Sequence, residues 1–337
     1  MTRTTLGRLG AACALASLLA VAAPRSAADA VDPRTLAPLL RAGDVAAVEE
    51  RLAAWESSSA RTREGWLAMP RALFALGVAA VEDPSIEEPA LRWVQQSPSW
   101  KAWMVEGWRL VMLGKLPRSA SRAFDEIEIW MPDPSRAAEA RAAFERARAL
   151  APRSSEPDGA LLGLDVAERR PLAARTARLE SACAVDAACE TARSMMLTGL
   201  EPHMGGSIEL LLSFARESAA RHPDDPRIGL LVAIAHRKAA LANGRPDAWF
   251  HQPGVFDEAD RSYVRHLTAH PNAVRQRNER ARAACWAGRR ETARGEFEAI
   301  ADRFVATAWK GGFREFATRR AWALGARPSA SLAGIAP

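Results

Sequence analysis

Residues 200–207 (LEPHMGGS) place a histidine, two glycines and a serine directly before an apolar run with helical spacing. A helix that begins after a Gly-Gly turn presents free backbone N–H groups, which together with the helix dipole can hold an anion. His203 and Arg216 carry side chains that would assist such a site, while Gly205, Gly206 and Ser207 would supply its backbone. The pattern therefore makes these five residues a candidate ligand-binding site.

The same stretch also predicts an ordinary turn between two helices. Pro202 cannot continue a helix, the two glycines permit positive φ, and Ser207 is a suitable N-cap for a helix over Ile208–Arg221. Because each residue has such a local role, the turn is the favoured interpretation and the anion site is the alternative.

Tryptophans are concentrated just upstream of residue 110. On a predicted helix over 99–113, Trp100 and Trp103 share one broad face with Gly107, whose missing side chain would let another helix cross closely. Aromatic rings can stack on a sugar or a peptide, which makes both tryptophans candidate ligand contacts. Such stripes more often pack into a core, so core packing is the favoured interpretation.

Asn278 lies near the start of a predicted helix that is otherwise rich in Arg and Ala. An asparagine there can lock a helix–helix contact through hydrogen bonds to the backbone, or it can face a bound ligand; the first is favoured. His266 and His270 have the i,i+4 spacing of a metal-chelating pair. No acid lies between them in the protease pattern and no third ligand is evident, so no metal site is predicted.

Three cysteines remain once Cys13 is set aside with the N-terminal leader described below: Cys183, Cys189 and Cys285. Two residues six apart on a continuous helix are about 9 Å apart by rise alone, too far for a disulfide. A bond between Cys183 and Cys189 therefore requires a turn, which the intervening residues permit if Asp186 caps a new helix. The sequence leaves open whether this bond forms, and Cys285 is expected to be a small core residue.

The first 30 residues have the layout of a secretory signal peptide. Arg3 and Arg8 precede an apolar run, and Ala28-Asp29-Ala30 fits the small-x-small cleavage pattern. We predict a mature chain that begins near Val31 and is periplasmic or secreted, with an uncleaved membrane anchor as the alternative. No later segment is apolar for long enough to span a membrane.

The net charge of +6 does not indicate a nucleic-acid-binding protein. Only four lysines occur, and the many arginines alternate with acidic residues, as in 137–148 (AAEARAAFERAR). Such mixing is typical of a solvated helix face rather than a basic stripe. The predicted export also argues against nucleic acid, and an acidic envelope polymer is a weakly supported partner.

Apolar residues recur at helical spacing throughout, interrupted by Pro, Gly or Asp clusters, and no segment alternates as a strand would. The predicted helices cover 35–40, 45–55, 66–81, 99–113, 135–150, 160–168, 172–182, 186–200, 207–221, 227–243, 256–270, 272–288, 291–305 and 312–324. Short helices joined by short loops pack as antiparallel pairs.

Two stretches resemble parts of a tetratricopeptide repeat: 137–152 resembles its second helix, and 281–297 resembles a helix-turn-helix unit. No strict 34-residue period runs through the chain. The sequence therefore predicts an all-α fold, an irregular tetratricopeptide-like array of antiparallel helix pairs (an α-solenoid) without substantial sheet. The expected organisation is a signal peptide (1–30), an N-terminal helical segment (31–90), the repeat domain (91–325) and a flexible tail (326–337).

The longer pattern resembles a bacterial family known as domain of unknown function 4034. The residues that carry the resemblance are LEPHMGGS (200–207), GVFDEADRSYVRHLTAHP (254–271) and RNERARAACWAGRRETARGEFEAI (277–300). Met204 stands where the family pattern has an aromatic residue. The resemblance covers about residues 91–324 and implies a helical-repeat fold; it implies no activity.

No Ser/His/Asp series, phosphate loop, CxxC pair or GxSxG motif is present, so the sequence favours a binding protein over an enzyme and predicts no cofactor. The first hypothesis is an exported scaffold or adaptor that binds a protein or peptide partner on a concave face. The alternative is an enzyme or small-ligand-binding protein with a site near 203–207, Arg216 and Asn278. A third is an envelope assembly factor without a ligand pocket. The sequence does not specify the oligomeric state.

Overall fold

The structure of the protein, a computed structural model, describes residues 31–113 and 134–325. The predicted signal peptide, residues 114–133 and the predicted tail lie outside these ranges. Within them the structure is all-α, and its only β pairs are the isolated bridges Val31–Thr62 and Arg61–Leu67. The predicted all-α class without substantial sheet is therefore confirmed.

None of the described helices is long and apolar enough to cross a membrane. Short 3-10 turns lie at Pro33–Leu36, Pro202–Met204 and Ala306–Ala308. The α-helices follow in chain order: α1 (Ala37–Arg41), α2 (Val45–Ser57), α3 (Ala68–Glu82), α4 (Pro84–Gln96), α5 (Trp100–Met112), α6 (Pro134–Leu150), α7 (Glu156–Ala167), α8 (Leu172–Val185), α9 (Glu190–Gly199), α10 (Ile208–Arg221), α11 (Pro226–Gly229), α12 (Leu231–Ala242), α13 (Pro246–Phe250), α14 (Val255–Ala269), α15 (Val274–Trp286), α16 (Arg290–Ile300) and α17 (Gly312–Leu324).

Helices α4 and α13 have no counterpart among the predicted helices. The start of α4 nevertheless has a clear sequence signal, because the carboxylate of Asp83 caps it and Pro84 occupies its first turn. Ile86, Ala90 and Trp93 form its buried stripe at helical spacing. The second proline of the stretch, which lies inside the helix, obscures this pattern in the sequence.

The turn between α8 and α9 differs from the prediction and brings two cysteines together. Helix α9 begins at Glu190 rather than at Asp186, whose carboxylate instead accepts a hydrogen bond from the backbone N–H of Ala188 (3.0 Å) within the turn. The Cα atoms of Cys183 and Cys189 are 5.0 Å apart and their sulfurs are bonded. The disulfide therefore fixes the turn through which the chain passes from α8 to α9.

Each helix packs mainly on helices close to it in the sequence. The order of packing is α3 on α5, α5 on α6, α6 on α7 and α7 on α9, followed by α10 on α12, α12 on α14, α15 on α16 and α16 on α17. One hydrophobic cluster extends from Leu36 to Ala239 and a second from Leu230 to Ala323. Both take residues from α12, which therefore joins the two clusters into one continuous interior.

The crossing of α5 with α6 depends on Gly107, as the sequence predicts. A Cβ atom at this position would overlap the ring of Phe144, which is fully buried. Trp108 contacts the rings of Phe144 and Phe74 edge-on, with both centroid distances 5.2 Å. The glycine thus allows an aromatic cluster to fill the space between α3, α5 and α6.

Candidate functional site

The turn at 200–207 has the structural roles that its residue types predict. Gly205 has φ +88°, and a Cβ atom on Gly206 would overlap the carbonyl group of Leu200. The hydroxyl of Ser207 accepts a hydrogen bond from the backbone N–H of Leu210 (3.2 Å) and so caps α10. His203 is largely exposed beside this turn.

Arg216, which the sequence predicts to assist an anion site at that turn, instead pairs with a carboxylate of α14. Its guanidinium donates two hydrogen bonds to Glu258 (2.8 and 2.7 Å), and Nε2 of His236 lies 2.8 Å from the same carboxylate. The hydrogen bonds from Arg216 lower the pKa of Glu258 to about 2. Arg216 therefore ties α10 to α14.

Asn278 locks α15 to the segment that follows α16. Its amide donates to the carbonyl oxygens of Val274 (2.8 Å) and Arg303 (3.1 Å), and its side-chain oxygen accepts from Nε1 of Trp309 (2.9 Å). These hydrogen bonds agree with the favoured interpretation, in which Asn278 fixes a helix contact by bonding to the backbone. It also explains why α16 ends at Ile300 rather than at 305, because the chain must leave the helix to reach the amide.

The eight predicted ligand-binding residues are thus distributed over several elements. Trp100 and Trp103 are half-buried and pack against the first hydrophobic cluster. Within the described chain, no hydrogen bond or ion pair joins Asn278 to the turn at 203–207. The ligand-binding role of these eight residues stays a prediction.

A hairpin that sequence reasoning did not single out connects the two ends of the helical array. We call residues 60–68 the closing hairpin. Its arms pair through the hydrogen bonds from Ala68 N to Ala60 O and from Thr62 N to Trp66 O (both 2.8 Å). The hairpin links α2 to α3, yet its residues contact residues of α9, α11, α14 and α15. It therefore ties the N-terminal part of the chain to the C-terminal part.

Trp66 lies between two guanidinium groups. Arg71 of α3 lies over the indole ring at 3.9 Å from its centroid, and Arg227 of α11 stacks on the ring as well. Cation–π attraction strengthens when the partners are removed from water. Arg227 is 1% exposed, so this contact is a desolvated one.

A single buried carboxylate serves two of the arginines around the hairpin. Glu190 at the start of α9 contacts Arg61 (3.2 Å) and Arg227 (3.4 Å). Burial lowers the pKa of Arg227 to about 9, so this group remains a cation at neutral pH. Glu190 thus ties Arg61 of the hairpin to Arg227 of α11.

The tip of the hairpin is fitted against α14 and α15. The carboxylate of Glu64 accepts a hydrogen bond from the backbone N–H of Arg275 (3.2 Å). Gly65 has φ +81°, and a Cβ atom there would overlap the rings of both His266 and His270. Burial, and then the positive charge of Arg227, lower the pKa of His266 to about 2, so its ring is neutral.

Glu156 of α7 is a second buried acid close to this site. It accepts a hydrogen bond from the hydroxyl of Thr191 (2.7 Å), the residue after Glu190. Burial raises the pKa of Glu156 to about 7. At neutral pH this carboxyl group is therefore poised between its two protonation states.

A groove with a volume of about 1340 Å³ lies where the closing hairpin meets two interhelical connections, α10–α11 and α14–α15. We call it the hairpin groove. Its apolar lining comes from Val31, Trp55, Ala60 and several prolines. Its ionisable lining comes from Arg61, Arg63, Arg221, His222, Asp224, Asp225 and His270. The groove combines apolar surface with basic and acidic side chains, and the connections that form it are anchored on helices.

The sequence contains only a local signal for this site. Trp66 is predicted to begin a helix over 66–81, whereas α3 begins at Ala68. A glycine followed by a tryptophan after a run of polar residues indicates a turn with a buried anchor. Its partners, Glu190, Arg227 and Arg275, lie far along the chain, and no spacing rule connects them to Trp66.

Comparison with protein-family models, with curated proteins and with solved structures gives no match to this chain. Among the described residues, no three or more His, Cys, Asp or Glu side chains form a group that could hold a metal ion.

We predict that Gly65→Ala loosens the closing hairpin. The added methyl group would overlap His266 and His270 and would also strain the positive φ. Hydrogen exchange of the hairpin amides should become at least tenfold faster. Gly43→Ala is the matched control, because Gly43 has a similar φ of +75° but nothing within 4 Å of its Cβ position. Equal effects of the two substitutions on the hairpin would contradict the docking described above.

We predict that Glu156→Gln changes the pH dependence of stability. The folded-state pKa lies above the ordinary value of 4.5, so the folded protein keeps a proton that the unfolded chain has released. The wild-type protein therefore loses stability as the pH rises from about 4.5 to 7, while the glutamine variant does not. Since one pKa unit corresponds to about 1.4 kcal/mol, the variant should gain up to roughly 3 kcal/mol relative to wild type over this range.

The measurement is urea unfolding at pH 5, 6, 7 and 8. Glu180→Gln, at an exposed position of α8, is the control and should follow the wild-type curve throughout. Parallel curves for wild type and Glu156→Gln would show that Glu156 is not protonated more readily in the folded state.

Proposed function

We propose that this chain is an exported helical-repeat protein that binds a segment of a partner protein in the hairpin groove. The observation that carries the proposal is the groove itself, which is large, mixed in polarity and formed by three connections. Interhelical connections tolerate variation and commonly carry binding function while the helices supply a fixed scaffold. The successive packing of neighbouring helices supports an irregular, tetratricopeptide-like array as that scaffold.

The size of the groove favours a peptide segment over a small molecule. Pockets for small ligands usually have volumes of about 300–1,000 Å³. The hairpin groove exceeds this range at about 1340 Å³. Its apolar residues can accept partner side chains, and its polar residues can fix the direction of an extended segment.

The closing hairpin makes the groove a preorganised surface. The hairpin is held by the stacking of Trp66 on Arg227, by the ion pair of Arg61 with Glu190 and by the bond from Arg275 to Glu64. A surface that is already ordered loses little conformational entropy on binding. This supports a role in recognition, because a loose loop would lower the affinity for a partner.

Two features support export. The first 30 residues have the composition of a signal peptide. The Cys183–Cys189 disulfide is of the kind that persists in oxidising compartments such as the periplasm. Both fit a mature protein that works outside the cytoplasm.

Binding in the groove is tested by filling it. Selection of a random 12-residue peptide library on the full mature protein should enrich ligands, and their binding should fall at least tenfold with Asn272→Trp, which adds an indole to the groove lining. Asn243→Trp, at an exposed residue after α12, is the control and should bind as wild type does. Enrichment of no ligand, or of ligands that ignore Asn272→Trp, would refute the proposal.

Export is tested on the protein recovered from its own cells. N-terminal sequencing should give a start near Val31, and thiol titration of the unfolded protein should find only Cys285 free, with two more thiols after reduction. A chain that retains residues 1–30 in the cytoplasm, with three reactive thiols in its mature region, would contradict this part of the proposal.

A further inference from the structure

Two of the three segments that form the hairpin groove are held from the turn that the disulfide closes. We call residues 183–189 the disulfide turn. One contact leads from this turn through Arg193 to the α10–α11 connection, and the other leads through Glu190 to the closing hairpin. Both residues lie on α9 within four positions of Cys189, so their placement depends on where the turn ends and the helix begins.

Arg193 makes the first contact. Its guanidinium donates hydrogen bonds to the carbonyl oxygens of Ala187 (3.2 Å) and Ala188 (3.0 Å) in the disulfide turn and to the hydroxyl of Ser218 in α10 (3.0 Å). It also lies 2.9 Å from Nε2 of His222, which lines the groove. Because a guanidinium has donors and no acceptor, this nitrogen of His222 accepts, and Arg193 fixes the position of the ring.

The disulfide turn supplies much of what compensates Arg193 for its burial. This arginine is only 5% exposed. Burial lowers the pKa of Arg193, and the negative charge of Asp186 in the turn acts in the opposite direction. The carboxylate of Asp186 is itself held by the backbone N–H of Ala188 (3.0 Å). A turn that moved away would therefore leave a buried cation with fewer partners, which is unfavourable.

Glu190 makes the second contact. It follows Cys189 directly as the first residue of α9. Its carboxylate contacts Arg61 of the closing hairpin (3.2 Å) and Arg227 of α11 (3.4 Å). Glu190 is 6% exposed, so little water is present to replace an arginine that is lost. A shift in the start of α9 would therefore loosen the closing hairpin as well.

The disulfide has two features of a bond that opens in a folded protein. Cys183 is only partly buried and is followed by the exposed residues Ala184 and Val185, whereas Cys189 is fully buried. A reductant therefore approaches the sulfur of Cys183. Cys189 has φ +33°, a left-handed conformation that residues other than glycine rarely adopt and that persists only where the surroundings hold it. Exposed or strained disulfides are the labile and regulatory ones.

We infer that the Cys183–Cys189 disulfide is a redox switch that controls the order of the hairpin groove and thereby its affinity. This inference rests on the proposed function and adds the regulation of the same site. The reductant is a dithiol protein. One of its thiolates attacks the sulfur of Cys183, and Cys189 leaves as a thiolate that takes up a proton. The second thiol of the reductant then attacks the mixed disulfide, releases Cys183 as a thiol and closes a disulfide in the reductant.

Reduction loosens both contacts together. Without the bond, the backbone at Cys189 leaves the left-handed conformation, and the carbonyl oxygens of the turn move away from Arg193. His222 then loses its fixed hydrogen-bond donor, and Glu190 moves with the start of α9. The groove is therefore preformed in the oxidised protein and loose in the reduced one, where binding must also restore order and is weaker.

The first measurement is whether the bond opens in the folded protein. The full mature protein is incubated with dithiothreitol at low urea concentrations, and the accessible thiols are titrated over time. Two thiols should appear at a rate that does not change with urea. A rate that rises exponentially with urea would show that reduction waits for global unfolding, and the disulfide would then be a structural bond and not a switch.

Hydrogen exchange measures whether reduction reaches the groove. Amides of residues 222–225 and of the closing hairpin should exchange at least tenfold faster in the reduced protein, while amides of α16 and α17 keep their rates. Unchanged exchange at the groove would overturn the inference. Faster exchange throughout the chain would overturn it as well, because the bond would then stabilise the whole fold.

Cysteine variants assign the response to this bond. The double variant Cys183→Ser and Cys189→Ser should show the exchange pattern of the reduced protein and should not respond to dithiothreitol. Cys285→Ala is the matched control, because it removes the third cysteine of the mature chain and leaves the disulfide intact. It should keep the full response, and a control that no longer responds would contradict the assignment.

The outcomes separate this inference from the proposed function. Library-selected peptides should bind the reduced protein at least tenfold more weakly and should recover their affinity on reoxidation. If these peptides bind both forms equally, the redox switch is wrong and the peptide-binding function stands. If no peptide is enriched on the oxidised protein, the peptide-binding function is wrong, and faster exchange at the groove on reduction still supports the control of its order by the disulfide.

Discussion

The stacking of Trp66 between Arg71 and Arg227 is the contact on which the rest of this structure depends. It brings a residue of the α2–α3 connection against α11, more than 150 residues later in the chain. Burying an arginine is costly unless its charge is compensated. Here the aromatic face and the shared carboxylate of Glu190 together provide that compensation. Without the hairpin, Arg227 would lose the indole ring and the helical array would lose its link between the two ends.

The buried charge continues along α15, the most polar of the well-buried helices. Arg275 pairs with Glu279 (3.0 Å) four residues later, and Arg282 pairs with Glu315 of α17 (3.1 Å). Arg275, Asn278, Glu279 and Arg282 on this helix each have a specific partner, and Asn278 binds the segment that follows α16. Such contacts add little net stability compared with apolar packing, but mispairing any of them leaves a buried charge uncompensated. They therefore define how the C-terminal helices fit against α15.

The groove follows from the same arrangement. Its lining consists of the connections that lie beside the closing hairpin, and it holds Arg61, Arg63 and Arg221 together with Asp224 and Asp225. The disulfide contributes indirectly, because it fixes the turn that presents Ala187 and Ala188 to Arg193. A chain of contacts thus runs from the covalent bond through Arg193 to His222 in the lining. The same contacts that link the two ends of the chain therefore also position residues of the groove lining.

The sequence by itself determined the helical class and many of the helix ends. Proline, glycine and the capping residues Ser207 and Asp225 act through atoms only a few positions away, so their roles are visible in the local pattern. For the same reason the spacing of Cys183 and Cys189 showed that a bond between them requires a turn, and the missing Cβ of Gly107 indicated a close helix crossing. Helix α4 has equally local signals in the cap Asp83 and the first-turn Pro84, but Pro89 inside the helix interrupts its pattern, and the helix is not predicted.

Only the tertiary structure decided where the candidate site lies. Glu190, Arg227 and Arg275 contact hairpin residues that lie 129 to 211 positions away, and no periodicity carries that information. The sequence could show that Arg216 and Asn278 were unusual, but it could not show that both are occupied by structural contacts. The tertiary structure also decides the protonation of buried groups. The pKa values of Glu156, Arg227 and His266 are shifted mainly because the surrounding helices exclude water. Water is excluded only once the chain has folded.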